Sequence, residues 1–208
     1  LRELAELRQA LEPKSDAAFE AWADLFKATP TIAGLSQLRE AATAAGRLQS
    51  FVELLEQLGP DATEEGAQVA FLVELGDVLV GLGDQAERAQ QVYREALLQD
   101  PTHLPARDAL VAVLTNAQAW EDLVELYLEL GEGESAPEIE PLLRACQLLE
   151  EVIGDLDRAA DVYSRVAEAA SDDDDIVRGY EGLLERAERW SELSEHLRTR
   201  FDDESSAE

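Results

Sequence analysis

Apolar residues recur along this chain at three- and four-residue intervals almost throughout, and no window keeps the strict alternation of a half-buried strand. Such spacing predicts helices with one apolar stripe each and no sheet, an all-α fold. Turn and cap signals cut the pattern into about twelve short helices. The cuts fall at Pro13-Lys14-Ser15, Thr29-Pro30-Thr31, Ala45-Gly46, Gly59-Pro60-Asp61, Gly83-Asp84, Asp100-Pro101-Thr102, Asn116-Ala117, 131–135, Gly154-Asp155, Ser171-Asp172 and Ala187-Glu188. Short helices joined by short links fold back as antiparallel hairpins.

The pattern also repeats. Ala119-Trp120-Glu121-Asp122-Leu123 returns farther along as Arg189-Trp190-Ser191-Glu192-Leu193, and a weaker copy, Ser50-Phe51-Val52-Glu53-Leu54, lies at nearly the same interval upstream. Glu87-Arg88-Ala89 with Val92-Tyr93 returns at the same period as Asp157-Arg158-Ala159 with Val162-Tyr163. A fainter version sits at Ala18, Ala21 and Trp22 and ends in Pro30, as the Tyr93 copy ends in Pro101. Two kinds of hairpin, each of about 35 residues, therefore alternate with a full period of about 70 residues, which predicts an open stack of repeats and not a closed bundle.

Side-chain size suits that reading. Ala89 and Ala159 are small where the two helices of a hairpin approach, and Tyr93, Tyr163, Trp120 and Trp190 are expected to fill the gap to the neighbouring hairpin. Truncating either Trp should cost about 3 to 5 kcal/mol if its ring is fully buried. Gly83 and Gly154 are placed to end helices in the left-handed conformation, and Pro101 to stop the next one. A single hairpin has too little core to stand alone, so stability is a sum of neighbour interfaces.

Charge then narrows the function. With 46 Asp and Glu against 17 Lys and Arg, the 208-residue chain carries a net charge of -29, while its 46% apolar content is that of a folded protein. Nucleic-acid binding needs clustered cations that are missing here, and an acidic membrane surface would repel the chain. No apolar run is long enough to insert in a membrane, and no signal peptide is visible. The chain begins at Leu1 and contains no Met, which reads as a fragment or processed product of a cytoplasmic protein. Acid-to-Arg pairs at i,i+4, namely Asp84 to Arg88, Glu140 to Arg144, Asp161 to Arg165 and Glu185 to Arg189, are expected as surface staples of about 0.2 to 0.5 kcal/mol each.

Candidate chemistry is sparse. His103 and His196 lie far apart without a ligand or nucleophile at useful spacing, and read as surface or capping residues. Cys146, the lone cysteine, sits among Leu142, Leu143, Leu148 and Leu149 as a small core residue. Asp172 to Asp175 lack the Gly and distal Glu of a calcium loop, so Ser171 is read as capping a helix whose first turn carries acids. Ser135 with Glu138 reads as a capping box. There is no phosphate loop, Gly-x-Ser-x-Gly or dinucleotide fingerprint, so no catalysis, metal or cofactor is expected.

The order Leu75-Gly76, Leu79, Gly83, Ala89, Tyr93, Ala96-Leu97 and Pro101 resembles the tetratricopeptide repeat (TPR), with one extra residue between Gly83 and Ala89. Leu110, Leu114, Trp120, Leu123, Tyr127 and Leu130 fit the following repeat. The alternation of the two hairpin types is similar to that of the long TPR proteins of myxobacteria and their relatives. The resemblance implies a right-handed α-solenoid of about six hairpins over residues 1–202, roughly 1–30, 31–60, 61–101, 102–133, 134–170 and 171–202, with an acidic tail at 203–208.

It also implies a concave groove lined by the first helix of each hairpin. Those positions are Ala70, Val73, Asp77 and Val80, then Pro105, Asp108, Ala112 and Thr115, and lastly Arg144, Leu148 and Glu151. The expected function is a non-catalytic scaffold whose groove holds a protein or peptide segment bearing basic residues, with further repeats in the same parent chain. The alternatives are a structural element that stacks end to end, made visible by half-buried faces at Leu1–Leu11 and Trp190–Phe201, or a regulatory domain of a larger enzyme.

Overall fold

In the computed structural model, which describes residues 1–132 and 137–206, the helical spacing becomes twelve α-helices, and no strand occurs among those residues. They are α1 (Arg2–Leu11), α2 (Asp16–Ala28), α3 (Ile32–Ala45), α4 (Leu48–Leu58), α5 (Ala67–Leu82), α6 (Ala86–Gln99), α7 (Leu104–Asn116), α8 (Trp120–Gly131), α9 (Ile139–Leu148), α10 (Leu156–Ala169), α11 (Asp174–Arg186) and α12 (Trp190–Ser206). The chain beyond α9 widens into a π-helical turn, Leu149–Ile153, that closes on left-handed Gly154. The helices group into two compact units, Leu1–Ala117 and Gln118–Glu208, so the division falls inside the segment 102–133.

The period of the sequence is the period of the backbone. α10, α11 and α12 begin at Leu156, Asp174 and Trp190, each one full period after the starts of α6, α7 and α8 at Ala86, Leu104 and Trp120. Turns repeat as well: Gln118 (φ 54) and Glu188 (φ 56), one period apart, are the non-glycine residues with left-handed backbone, and Gly46 (φ 69) holds the corresponding turn before α4. The turn closes in the same way at both ends of the series, with Arg47 N–H donating to Ala42 O (2.7 Å) and Arg189 N–H to Leu184 O (3.0 Å). Gly83 and Gly154 take the left-handed cap expected of them, at φ 86 and 80.

In the first unit α5 packs on α4, α6, α3 and α7, and α2 on α1 and α3. The Phe26 and Phe71 rings meet at 5.3 Å between centroids, joining α2 to α5. Tyr93 on α6 is 1% exposed and lies over Gly76 of α5, where a Cβ would come within 2.5 Å of the ring. That contact lies inside its own hairpin. In the second unit the core gathers Leu142, Cys146, Leu149, Ala159, Val166, Leu183 and Leu184, and Tyr163 rests against Gly179 of the next helix pair.

Other expectations change too. Trp120 is half-buried and Trp190 is 58% exposed, so neither ring carries the cost of a fully buried Trp. Of the four acid-to-Arg staples, Glu140 to Arg144 forms (2.9 Å). Other arginines reach between hairpins, among them Arg88 to Glu56, Arg158 to Glu121 (3.0 Å), Arg186 to Glu150 and Arg189 to Asp161 (2.5 Å). A guanidinium on a long stem finds the acid of the helix alongside before that of its own next turn. The cap of α11 is Asp173, whose Oδ1 accepts from Asp175 N (2.9 Å), not Ser171. Ser135 lies outside the described residues. His103 is a cap as expected, whereas His196 is half-buried with its ring edge-on to Tyr180 at 5.3 Å.

Candidate partner groove

α3 and α5, the first helices of successive hairpins in the first unit, pack side by side. Between them the surface recedes into an open groove of about 720 Å³. Leu35, Ile32, Ala70 and Val73 supply its apolar walls, Arg39 and Glu74 its charges, and His103 at the start of α7 closes one end. Ile32 and Leu35 on α3 have the same spacing as Ala70 and Val73 on α5, and all four line the groove.

Electrostatics within the groove are unbalanced. Arg39 Nη1 stands 3.3 Å from Glu74 Oε1 and donates a long 3.5 Å bond to Oε2. Oε1 is buried and accepts no hydrogen bond. Burial pushes the Glu74 carboxyl above its ordinary pKa, Arg39 pulls it back, and the charge of Asp77 pushes it up again. Asp77 itself is engaged: the Tyr93 hydroxyl donates to its Oδ1 at 2.7 Å. Burial, then that bond, push the Tyr93 phenol well above its usual range. His103 Nδ1 accepts from Ala106 N–H at 3.2 Å.

The residues expected in a groove distribute as follows. Ala70 and Val73 line it, together with α3. Asp77 is half-buried beside Tyr93, and Val80 is exposed farther along α5. Pro105, Asp108, Ala112 and Thr115 are exposed on α7, and the Thr115 hydroxyl donates to Val111 O at 2.7 Å. In the second unit Arg144 pairs with Glu140, Leu148 packs against the core and Glu151 accepts from Gln147 at 3.2 Å. Sequence reasoning missed Ile32, Leu35, Arg39 and Glu74. The i, i+3 spacing shared by Ile32 and Leu35 with Ala70 and Val73 was the available signal, in a stretch where the repeat is faint.

Elsewhere the surface offers little for catalysis. Among the described residues no group of three or more His, Cys, Asp or Glu is placed to hold a metal ion. Cys146 is buried, its Sγ–H donates to Ala159 O at 3.7 Å, and burial pushes its thiol up to about 12. Among the described residues no helix is long and apolar enough to cross a membrane.

No protein-family model and no curated protein matches the sequence. Among solved structures, a chain of the Naa15/Naa10 assembly bound to HypK-THB is similar over 88% of this chain and 28% of its own, at 17% identity and a TM-score of 0.51. The likeness is one of fold: an all-α helical repeat. A tetratricopeptide repeat protein from Parabacteroides merdae matches at 18% identity over 97% of this chain and 78% of its own, with a TM-score of 0.46. A thermophilic TPR protein of Thermus thermophilus matches at 19% identity over 88% and 96%, with a TM-score of 0.41.

Proposed function

We propose that this chain is a TPR-like, non-catalytic protein-binding module that receives a partner segment in the groove between α3 and α5. The observation that carries the reading is the groove itself: about 720 Å³, open, walled by apolar side chains on two helices fixed by the core beneath. A preformed surface loses little entropy when a segment docks, so modest apolar contact suffices for useful affinity. The acidic excess suits a basic partner and speeds its approach. The alternating hairpins support the further reading that the chain is one module of a longer solenoid like those of myxobacteria.

A photo-crosslinking residue at Ser36, inside the groove, tests this against one at Gln91, exposed on α6. Irradiation in extract of the source cells should give discrete protein adducts from position 36 and none from 91. Equal labelling at both positions, or none at 36, counts against the groove.

A second reading is end-to-end association of copies. Leu4, Leu7 and Leu11 form an exposed stripe on α1, and Trp190, Leu197 and Phe201 another on α12. Sedimentation should then show concentration-dependent oligomers that Leu7→Glu or Leu197→Glu abolishes. A monomer at all concentrations removes this reading.

A further inference from the structure

Resting on the groove reading, we propose that the groove selects a segment carrying one Lys or Arg beside apolar residues, and that Glu74 is the residue that reads the cation. The charged side chains lining the groove are Glu40 and Glu74 against a single guanidinium, Arg39. His103 is engaged through Nδ1, which accepts the Ala106 N–H at the start of α7. Asp77 lies outside the groove's lining, with its Oδ1 accepting the Tyr93 hydroxyl, yet its charge still adds to the negative field at Glu74.

Glu74 itself is under-satisfied. Its contacts with Arg39, at 3.3 and 3.5 Å, are long beside the roughly 2.7–2.9 Å of a charge-assisted hydrogen bond. One carboxylate oxygen has no donor at all. A half-buried carboxylate in this condition gains more from a new donor than a solvated one does, because water no longer competes for it. Arg39, 45% exposed along its side chain, would turn outward to uncover that oxygen as the new cation arrives. The methylene stem of an incoming Lys or Arg would lie over Ala70 and Val73 while its head reaches Glu74, a division of polarity these side chains commonly adopt. An acidic segment would instead face Glu40, Glu74 and the field of Asp77 with only one cation to meet it.

The test is selection from a phage-displayed library of random dodecapeptides on the full chain. Anisotropy titrations of the most enriched peptide follow, against wild type, Glu74→Gln, Val73→Asp and Glu87→Gln. Enriched peptides should share one Lys or Arg next to apolar residues. Glu74→Gln should weaken binding about tenfold or more, and replacing the peptide's cation by norleucine should cost the same once, not twice. Glu87→Gln, exposed on α6 outside the groove, should change binding by less than about twofold. Helical circular dichroism of Glu74→Gln should match wild type, because the amide relieves a strained charge. Peptides that lose binding with Val73→Asp but carry no common cation, or that ignore Glu74→Gln, overturn the role of Glu74 and leave the groove standing. Peptides indifferent to Val73→Asp, or no enrichment at all, overturn the groove and the inference together.

Discussion

Gly76 and Gly81 lie on the same helix, α5, and alanine at either position gains the same intrinsic helix propensity, about 1 kcal/mol. Their surroundings differ sharply. A Cβ at Gly76 would lie 2.5 Å from the Tyr93 ring, well inside van der Waals contact, whereas at Gly81 it would meet nothing within 4 Å. The ring has no easy retreat, because it is buried and its hydroxyl is tied to Asp77. Overpacking of this kind costs about 1 to 3 kcal/mol, and a displaced hydroxyl bond about 1 kcal/mol more. After the propensity gain, Gly76→Ala should lose about 1 to 3 kcal/mol, while Gly81→Ala gains up to about 1.

Urea unfolding followed by tryptophan fluorescence measures the difference. Trp22 belongs to the first unit and Trp120 and Trp190 to the second, so a Trp120→Phe, Trp190→Phe background reports on the unit that contains α5. Tyr93→Leu in the Gly76→Ala protein supplies the cross-check: a smaller side chain makes room, so the pair should be less damaging than the sum of its parts. Equal stability of the two alanine variants, or strict additivity with Tyr93→Leu, would refute the interlock of Gly76 with Tyr93.

Gln118→Gly and Glu188→Gly should each stabilise the protein by about 0.5 to 1 kcal/mol, since both residues hold a left-handed backbone that glycine adopts freely. Gln91→Gly within α6 should destabilise by about 1 kcal/mol in the same urea assay. Trp190→Ala, with the ring more than half exposed, should cost below about 1.5 kcal/mol, against about 3 to 5 for fully buried Phe26→Ala. For Cys146 the folded thiol, pushed up to about 12, keeps its proton while an unfolded thiol titrates near about 8.5. The stability it contributes is therefore complete below about pH 8.5 and declines above it by up to about 1.4 kcal/mol per pH unit until the folded thiol ionises. Urea midpoints at pH values either side of that onset should show the decline, and Cys146→Ala should flatten it.

Fold class and period were legible in the chain because both rest on local spacing. A 3.6-residue stripe and a left-handed cap need no knowledge of what lies opposite, which is why Gly83, Gly154 and the turn before Trp190 could be placed. Partner choice is different. Whether Trp190 is covered depends on a surface that its own helix does not contain. The arginines show the same limit: the i,i+4 rule sees one helix, yet Arg88 finds Glu56, 32 residues away, on the helix alongside. The groove was half legible. Ala70 and Val73 followed from the clear repeat, but the α3 wall lies where that repeat is faint. Asp77 was read as a free acid because no sequence rule shows that Tyr93 would bend its hydroxyl to it.

The arginine pairs also bear on why the groove is left acidic. Arg88, Arg158, Arg186 and Arg189 each bind an acid of another helix, at Glu56, Glu121, Glu150 and Asp161. As exposed pairs they contribute little stability, up to about 1 kcal/mol each. Their physical use lies elsewhere. Apolar stripes of similar Leu, Val and Ala content can slip by a turn at small cost, whereas a guanidinium paired with a carboxylate across the seam favours a single register between hairpins. They also remove repulsion where acids would otherwise crowd the seams of a chain with net charge -29. With only 17 cations for 46 acids, every arginine committed to a seam is one fewer on the open faces. Arg39 is shared between the two duties, touching Glu74 across α3 and α5 at long range. The groove thereby keeps a carboxylate that its own chain does not fully neutralise, at the place where two apolar walls meet.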